Sequence, residues 1–295
     1  SPERLTRVKD ELLQMNLNQQ VKIIEIDFSK AKPQSFHMIE NELSLVDVGL
    51  LVNNVGMVLS NGLAYFIETS AKEMAKICEV NIKTMLLMTR LVLPRMIQRK
   101  SGGIINMSSM SGLHASPMLA TYAATKSFIN SLSTSLSEET SGLQYIDIQS
   151  VTPGFVSTKM SSSMFGSHGQ SSKKPSICRC PPVVTADECA ESSLNQLGNG
   201  QRITSGHWKH ACLNIVFNIT PKYIVSDITH SCMLMFQKTK KVENRFIRES
   251  IENIKSRCGD TVVNSLESVK DEREDGEDGE DGEDGEEEEE LEENI

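Results

Sequence analysis

The sequence of 295 residues lacks the features of a membrane-spanning, secreted or zinc-stabilised protein. No apolar run approaches the ~20 residues needed to span a bilayer. No secretory signal is present and the seven cysteines are odd in number, so we expect reduced thiols. Cys178 and Cys180 form a Cys-x-Cys pair without a second ligand pair, which fits no usual zinc spacing. We therefore predict no metal site.

The net negative charge of the chain comes from its last 25 residues. Residues 271–295 hold seventeen acids and one Arg, including four Glu-Asp-Gly copies. Removing them from the totals of 40 acids and 30 bases leaves residues 1–270 with 23 acids and 29 bases, formally +6. Such a tail cannot bury enough apolar surface to offset its ordering entropy, so we predict that it is disordered. We interpret it as solubilising, with contact to a basic partner as the alternative.

Three apolar strands end in small or polar residues and are separated by helical segments. This pattern predicts an α/β fold over residues 1–241, with a parallel sheet whose ligand lies at the carboxyl ends of the strands. A loop rich in Ser, Gly and Pro, about 159–182, follows the third of these strands, and a charged helical or linker segment covers 242–270. The predicted helices are 2–18, 34–45, 70–99, 120–139 and 185–197, and the predicted strands are 21–26, 49–53, 103–108 and 145–151.

Tyr122 and Lys126 are the residues most indicative of chemistry. Four positions apart on a helix, they share one face. A free phenol has a pKa of about 10, and a neighbouring cation favours the phenolate, which moves the pKa towards neutrality. Such a Tyr can exchange a proton with a ketone or alcohol. Ser109, thirteen positions upstream, can donate a hydrogen bond to the same substrate oxygen.

The motifs Asn53-Asn54-Val55-Gly56, Asn106 to Ser109, Tyr122 to Lys126 and Val151 to Thr158 together resemble the short-chain dehydrogenase/reductase family. The resemblance implies that Tyr122 is the catalytic acid/base, that Ser109 orients the carbonyl and that Lys126 binds the nicotinamide ribose and lowers the Tyr122 pKa. It implies that Asn81 holds a water in the proton relay. The implied cofactor-binding residues are Asp27, Asn53, Gly56, Tyr122, Lys126, Pro153, Gly154, Val156 and Thr158.

Finer features resemble the branch of 17β-hydroxysteroid dehydrogenases, very-long-chain 3-oxoacyl-CoA reductases and hydroxysteroid dehydrogenase-like proteins. Val55 stands where most of the family has Ala, and the run Gly206 to His210 also fits this branch. We interpret His207 and His210, beside Trp208 and Lys209, as part of a substrate-side or membrane-facing surface rather than as metal ligands. The region up to Met235 could lie at a membrane interface.

The family's first two strands and its Gly-rich turn have no counterpart before Val21. The chain opens instead on an amphipathic stretch, with Leu5, Val8 and Leu12 on one stripe. We therefore expect an N-terminally truncated, Rossmann-like doubly wound sheet that lacks its first two strands. In such a sheet the strand 49–53 becomes an edge, and the strand 21–26 loses its usual neighbour.

The resemblance implies an NADP(H)-dependent oxidoreductase, with NAD as a second option. It would interconvert ketone and alcohol on a hydroxysteroid or a 3-oxoacyl-CoA, at the endoplasmic reticulum membrane. The alternative is a catalytically silent, truncated member, cytoplasmic if the protein is this short, that acts only by binding partners. The basic domain suits NADP(H), acyl-CoA or an anionic membrane, so we do not infer a nucleic-acid partner. Peripheral membrane contact and a homodimer stay open at this point.

Overall fold

The computed structural model describes residues 2–15, 20–60, 62–142, 145–161 and 182–237. The chain divides into a unit of residues 1–240 and a second unit of residues 241–295. Most of the predicted covering loop (159–182) lies outside the described residues. The predicted segment 242–270 and the acidic tail lie outside them entirely.

A parallel four-stranded sheet forms the centre of the first unit. Its strands are β1 (Leu50–Asn53), β2 (Gly102–Met107), β3 (Ile146–Val151) and β4 (Ile203–Thr204), in the spatial order β1-β2-β3-β4. β1 pairs with β2 and β2 with β3 in parallel, so their carboxyl ends meet at one edge of the sheet. This confirms the predicted α/β class. The short strand β4 was missed, since two residues give no periodicity.

β1 is an edge strand of this sheet, as the sequence predicted. The predicted strand 21–26 is wrong: residues 20–27 form no strand. The reason is that a strand exists through ladder hydrogen bonds to a neighbour, and an apolar run alone does not supply one. Among the described residues, β1 makes its only ladder with β2.

Helices connect and cover the strands. The Ser70 side chain caps the start of the helix Ala71–Cys78, where it accepts a hydrogen bond from the Glu73 amide at 3.2 Å. Lys100, in the left-handed conformation (φ 55°), ends the helix Thr84–Arg99. No helix in the described part of the chain is long and apolar enough to cross a membrane. The helices are α1 (Pro2–Gln14), α2 (Pro33–Ser44), α3 (Ala71–Cys78), α4 (Thr84–Arg99), α5 (Ala120–Glu139), α6 (Ala186–Gln196), α7 (Trp208–Ile219) and α8 (222–237).

Two apolar clusters hold the helices and strands that carry the predicted site residues. Val92 and Met96 of α4 pack against Ile104 of β2 and Ile148 of β3, and these side chains are almost completely buried. A second cluster includes Tyr122 and joins α5 to α8; its buried members are Val58, Leu63, Met118, Leu119, Tyr122 and Met233. The predicted catalytic Tyr is thus held by the core.

Candidate active site

The end of β2 and the first turns of α5 bring Ser109, Tyr122 and Lys126 together. Ser109 follows β2 and accepts a hydrogen bond from the Ser111 amide at 3.2 Å, which begins a short 3-10 turn. Tyr122 and Lys126 are one turn apart on α5, and the Lys126 Nζ lies 5.5 Å from the centre of the Tyr122 ring. The Ser109 side chain lies close enough to the Tyr122 hydroxyl to lower the pKa of that phenol by hydrogen bonding. The three predicted residues therefore lie together in one cluster.

Lys126 is a buried ammonium held by the backbone. Its Nζ donates to the Met107 carbonyl oxygen at 2.7 Å, and its side chain is 5% exposed. Burial lowers the pKa of Lys126 to about 8, because the low-dielectric surroundings disfavour the charged form. The group is thus still largely a cation at neutral pH.

The expected lowering of the Tyr122 pKa is not what the structure shows. Burial raises the pKa of Tyr122, and the hydrogen bond with Ser109 opposes that rise. Tyr122 is only 8% exposed, so removing its hydroxyl from water penalises the phenolate. The protonated phenol is therefore the stable form here, which suits an acid that gives a proton to a forming alkoxide.

Asn81 lies in a single π-helical turn, Glu79–Lys83, between α3 and α4. Its Oδ1 accepts from the Met57 amide at 2.8 Å, while its Nδ2 donates to the Met57 carbonyl and to Thr125 Oγ1, each at 3.0 Å. Such π-turns are frequent at functional sites. Asn81 connects the segment after β1 to α5, but it does not line the cavity described next. Its role in holding a water stays a prediction.

A cavity of about 870 Å³ opens at the carboxyl ends of the strands. Eight of the eleven predicted site residues line it: Gly56, Ser109, Tyr122, Lys126, Pro153, Gly154, Val156 and Thr158. Its wall is mostly apolar.

Asp27 and Asn53 do not line this cavity. The Asn53 Nδ2 donates instead to Thr89 Oγ1 at 3.0 Å and to Asn106 Oδ1 at 2.8 Å. Successive side chains of a strand point to opposite faces, so Val52 and Asn54 line the cavity and Asn53 points away from it. This alternation could have identified Asn54 from the sequence.

Asp27 forms a local turn. Its Oδ1 accepts from the amide and the hydroxyl of Ser29, at 2.9 and 2.8 Å. Partial burial acts to raise the pKa of Asp27, but these hydrogen bonds prevail and lower it. Its expected contact with adenine stays a prediction.

The prediction that His207 and His210 form part of a membrane-facing surface is wrong, and the substrate-side alternative stays a prediction. His207 is 9% exposed and begins α7, where its Nδ1 accepts from the Lys209 amide at 3.2 Å. His210 is completely buried. Only Trp208, which is 67% exposed, behaves as expected. Neighbouring residues on a helix point in different directions. The run Gly206 to His210 therefore places Trp208 on the surface and His210 in the interior.

Helices α6, α7 and α8 contribute cavity residues that the sequence reading missed. Phe217, Thr229 and Met233 line the wall from α7 and α8, and Cys189 and Ser193 line it from α6. His114 also lines it, with its Nε2 2.8 Å from Asn214 Oδ1 of α7. No short motif marks these positions, because their place in the wall depends on how the helices pack.

Comparison with known proteins identifies the family. A family model described as short chain dehydrogenase matches residues 1–167. The very-long-chain 3-oxoacyl-CoA reductase of Anas platyrhynchos is 31% identical over 254 residues, which cover 85% of this chain and 74% of that protein. The protein of the same name from Laccaria bicolor is 43% identical over 137 residues, covering 46% and 40% respectively. The chain therefore belongs to the short-chain dehydrogenase family of oxidoreductases.

Solved structures agree with this fold. A 7beta-hydroxysteroid dehydrogenase superposes with a TM-score of 0.65 at 19% identity, covering 77% of this chain and 83% of that one. The closed form of a serine dehydrogenase complexed with NADP+ gives a TM-score of 0.54 at 27% identity, covering 65% and 74%. The branch is carried by the relatives named above: their names confirm the predicted resemblance to the branch that contains the 3-oxoacyl-CoA reductases.

Proposed function

We propose that this protein reduces the ketone of a lipid-like substrate, a 3-oxoacyl-CoA, with NADPH. The observation that carries the proposal is the joint placement of Ser109, Tyr122 and Lys126 in the wall of the mostly apolar cavity of about 870 Å³. An acid, a hydrogen-bond donor and a cation at one apolar site can receive a carbonyl oxygen and protonate it.

Each of the three residues has its own part in this chemistry. Ser109 donates a hydrogen bond to the ketone oxygen and orients it. Tyr122 gives its phenolic proton to the same oxygen as negative charge develops there, and the raised pKa keeps that proton in place beforehand. The Lys126 cation lies over the Tyr122 ring at 5.5 Å and stabilises the phenolate left behind.

The cavity is suited to a nicotinamide cofactor. At Gly56, an added Cβ would lie 3.4 Å from Lys126 Nζ and 3.5 Å from Asn81 Oδ1, which is ordinary van der Waals contact, so this glycine lies directly beside Lys126. Gly56, Lys126 and the Pro153–Thr158 loop would hold the cofactor, which supplies a hydride when bound. The serine dehydrogenase, which is 27% identical, is complexed with NADP+, and this supports NADP(H) as the cofactor.

The apolar wall favours a lipid substrate. Leu119, Phe217 and Met233 line the cavity beside the catalytic trio, and their burial against an acyl chain would be favourable at about 25 cal/mol per Å². The names of the two relatives support the 3-oxoacyl thioester within this class.

A matched pair of substrates tests the proposal. We would follow NADPH oxidation with a long-chain 3-oxoacyl-CoA and with a ketosteroid, and repeat both with NADH. We expect turnover with the thioester and NADPH that is lost in Tyr122→Phe. Turnover of the steroid alone would move the assignment to a hydroxysteroid dehydrogenase, and turnover of neither would contradict the proposal.

We further propose that the protein works at the endoplasmic reticulum membrane, with α7 and α8 against the lipid. Four apolar or aromatic side chains of these helices are between 50% and 77% exposed: Ile215, Val216, Ile219 and Tyr223. Phe217 of α7 lines the cavity instead, so the exposed side chains lie beside the proposed substrate site. The net positive charge of residues 1–270 suits an anionic surface. Flotation with phosphatidylserine vesicles should recover the protein and should not recover Ile215→Ser/Ile219→Ser.

A further inference from the structure

His210 is a buried imidazole that the proposed reaction does not use. It lies in the first turn of α7 and is completely shielded from solvent. Its Nε2 is 3.1 Å from the carbonyl oxygen of Pro182, and its Nδ1 is buried without a hydrogen-bond partner. Because a carbonyl oxygen can only accept, Nε2 carries the hydrogen and Nδ1 is the unprotonated nitrogen of a neutral ring.

The electrostatic surroundings agree with a neutral ring. Burial lowers the pKa of His210, and the backbone groups of Pro182, Phe155 and Ser205 oppose that effect only in part. The neighbouring imidazole of His207, whose ring centre is 6.2 Å away, also disfavours a second positive charge. The lowered pKa thus favours the neutral ring, in which the Nε2–H group donates to the Pro182 carbonyl.

The His210 ring packs directly against the loop that lines the cavity. A Cβ placed on Gly154 would lie 2.8 Å from His210 Cδ2 and 3.2 Å from Nε2, so only Gly leaves room for the ring. The carbonyl of the preceding residue, Pro153, accepts from the Met110 amide at 2.9 Å. Through this contact the loop is tied to the turn that follows Ser109.

The residue that receives the His210 hydrogen bond belongs to a second segment beside that loop. The Ser157 amide donates to the Val184 carbonyl at 2.9 Å, and the Val184 amide donates to the Phe155 carbonyl at 3.1 Å. Val156 and Val184 thus form a parallel bridge. His210 lies at the beginning of both segments, because it contacts Gly154 in the first and Pro182 in the second.

We infer that His210 is a positioning residue, which fastens the Pro153–Thr158 loop to the Pro182–Val184 segment and thereby sets where the loop meets the cofactor. The claim that His210 affects cofactor binding rests on the proposed function. The claim that His210 fastens the two segments rests only on its described contacts, so the two claims can be tested separately.

Two substitutions in the full chain separate the hydrogen bond from the ring. His210→Phe keeps a ring against Gly154 but leaves the Pro182 carbonyl unpaired. His210→Gln restores a donor nitrogen that can reach that carbonyl. The same change at a surface histidine, His37→Phe, is the control, because the His37 side chain is 74% exposed.

We expect His210→Phe to raise the KM for NADPH about tenfold, as for a lost buried hydrogen bond, while kcat changes much less. Hydrogen exchange at the Ser157 and Val184 amides should accelerate in this variant. His210→Gln should recover most of both properties, and His37→Phe should change neither. The exchange measurement needs no cofactor, so an inactive parent protein would count against the proposed function and leave this readout intact.

Three results would overturn the inference. The first is unchanged KM and exchange in His210→Phe. The second is equal damage in His210→Gln, which would show that ring volume matters and the donor does not. The third is uniform loss of protection over the whole domain, the mark of a general packing role. Should His210→Phe not fold, the imidazole nitrogen shifts of the unaltered protein decide, because the Nδ1–H tautomer at pH 7 would rule out the bond to Pro182.

Discussion

The ammonium nitrogen of Lys126 lies 5.5 Å from the centre of the Tyr122 ring and at the same time donates to the Met107 carbonyl at 2.7 Å. The cation is therefore fixed by the end of β2 while it stands over the phenol of α5. In the proposed reaction this cation would stabilise the phenolate when the proton leaves. In the resting protein, burial raises the pKa of Tyr122.

Replacing Tyr122 by Phe should abolish reduction and leave cofactor binding largely intact. The hydroxyl carries the proton, and losing a general acid typically costs about 10²–10⁴-fold in rate. Steady-state NADPH oxidation and an NADPH titration measure the two properties. Tyr145→Phe, at a tyrosine that is 68% exposed, is the control. A Tyr122→Phe rate within a factor of two of the parent rate would disprove the assignment.

Lys126 should make NADPH binding depend on pH. Its pKa of about 8 means that the cation is present below pH 8 and is lost as the pH rises through that value. The Kd for NADPH should therefore rise between pH 7 and pH 9. Lys126→Ala should bind more weakly at pH 7, with a flat profile, and should also slow the reaction. A parent profile without a step near pH 8 would contradict this role, as would unchanged binding in the variant.

Asn81→Ala should destabilise the fold by about 2–4 kcal/mol, because it leaves both the amide and the carbonyl of Met57 without their partner. Asn81 is 1% exposed, so water cannot replace it without rearrangement. Urea unfolding measures the free energy, with the exposed Asn195→Ala as the control. A loss below about 0.5 kcal/mol, the range of ordinary surface substitutions, would show that Met57 finds other partners.

Gly112→Ala should disturb the catalytic site through the backbone. An added Cβ would lie 2.6 Å from the Lys126 carbonyl carbon and 2.9 Å from its oxygen, and α5 cannot yield as a flexible side chain would. We expect a cost of about 1–3 kcal/mol and a strong loss of activity. Gly142→Ala is the matched control, since nothing lies within 4 Å of the added atom there. Equal stability of the two variants would refute the close approach.

Much of this fold follows from local pattern. The strands at 50–53, 102–107 and 146–151 and the helix at 120–139 lie within a residue or so of their predicted bounds. The Tyr122–Lys126 pair could be predicted because a four-residue spacing on a helix is a local property. Whether residues 21–26 form a strand could not be predicted from local pattern, since a strand needs a neighbouring strand that its own residues do not specify.

The sequence by itself determined the family, the α/β class and the three strands at 50–53, 102–107 and 146–151. It also singled out Ser109, Tyr122 and Lys126 as candidate site residues. Only the tertiary structure decided the direction of the Tyr122 pKa shift, the hydrogen bond of Asn53 to Thr89 and the burial of His210. The physical reason is that burial and desolvation depend on segments far away in the chain. The cavity wall from α7 and α8 exists only once those segments have packed together.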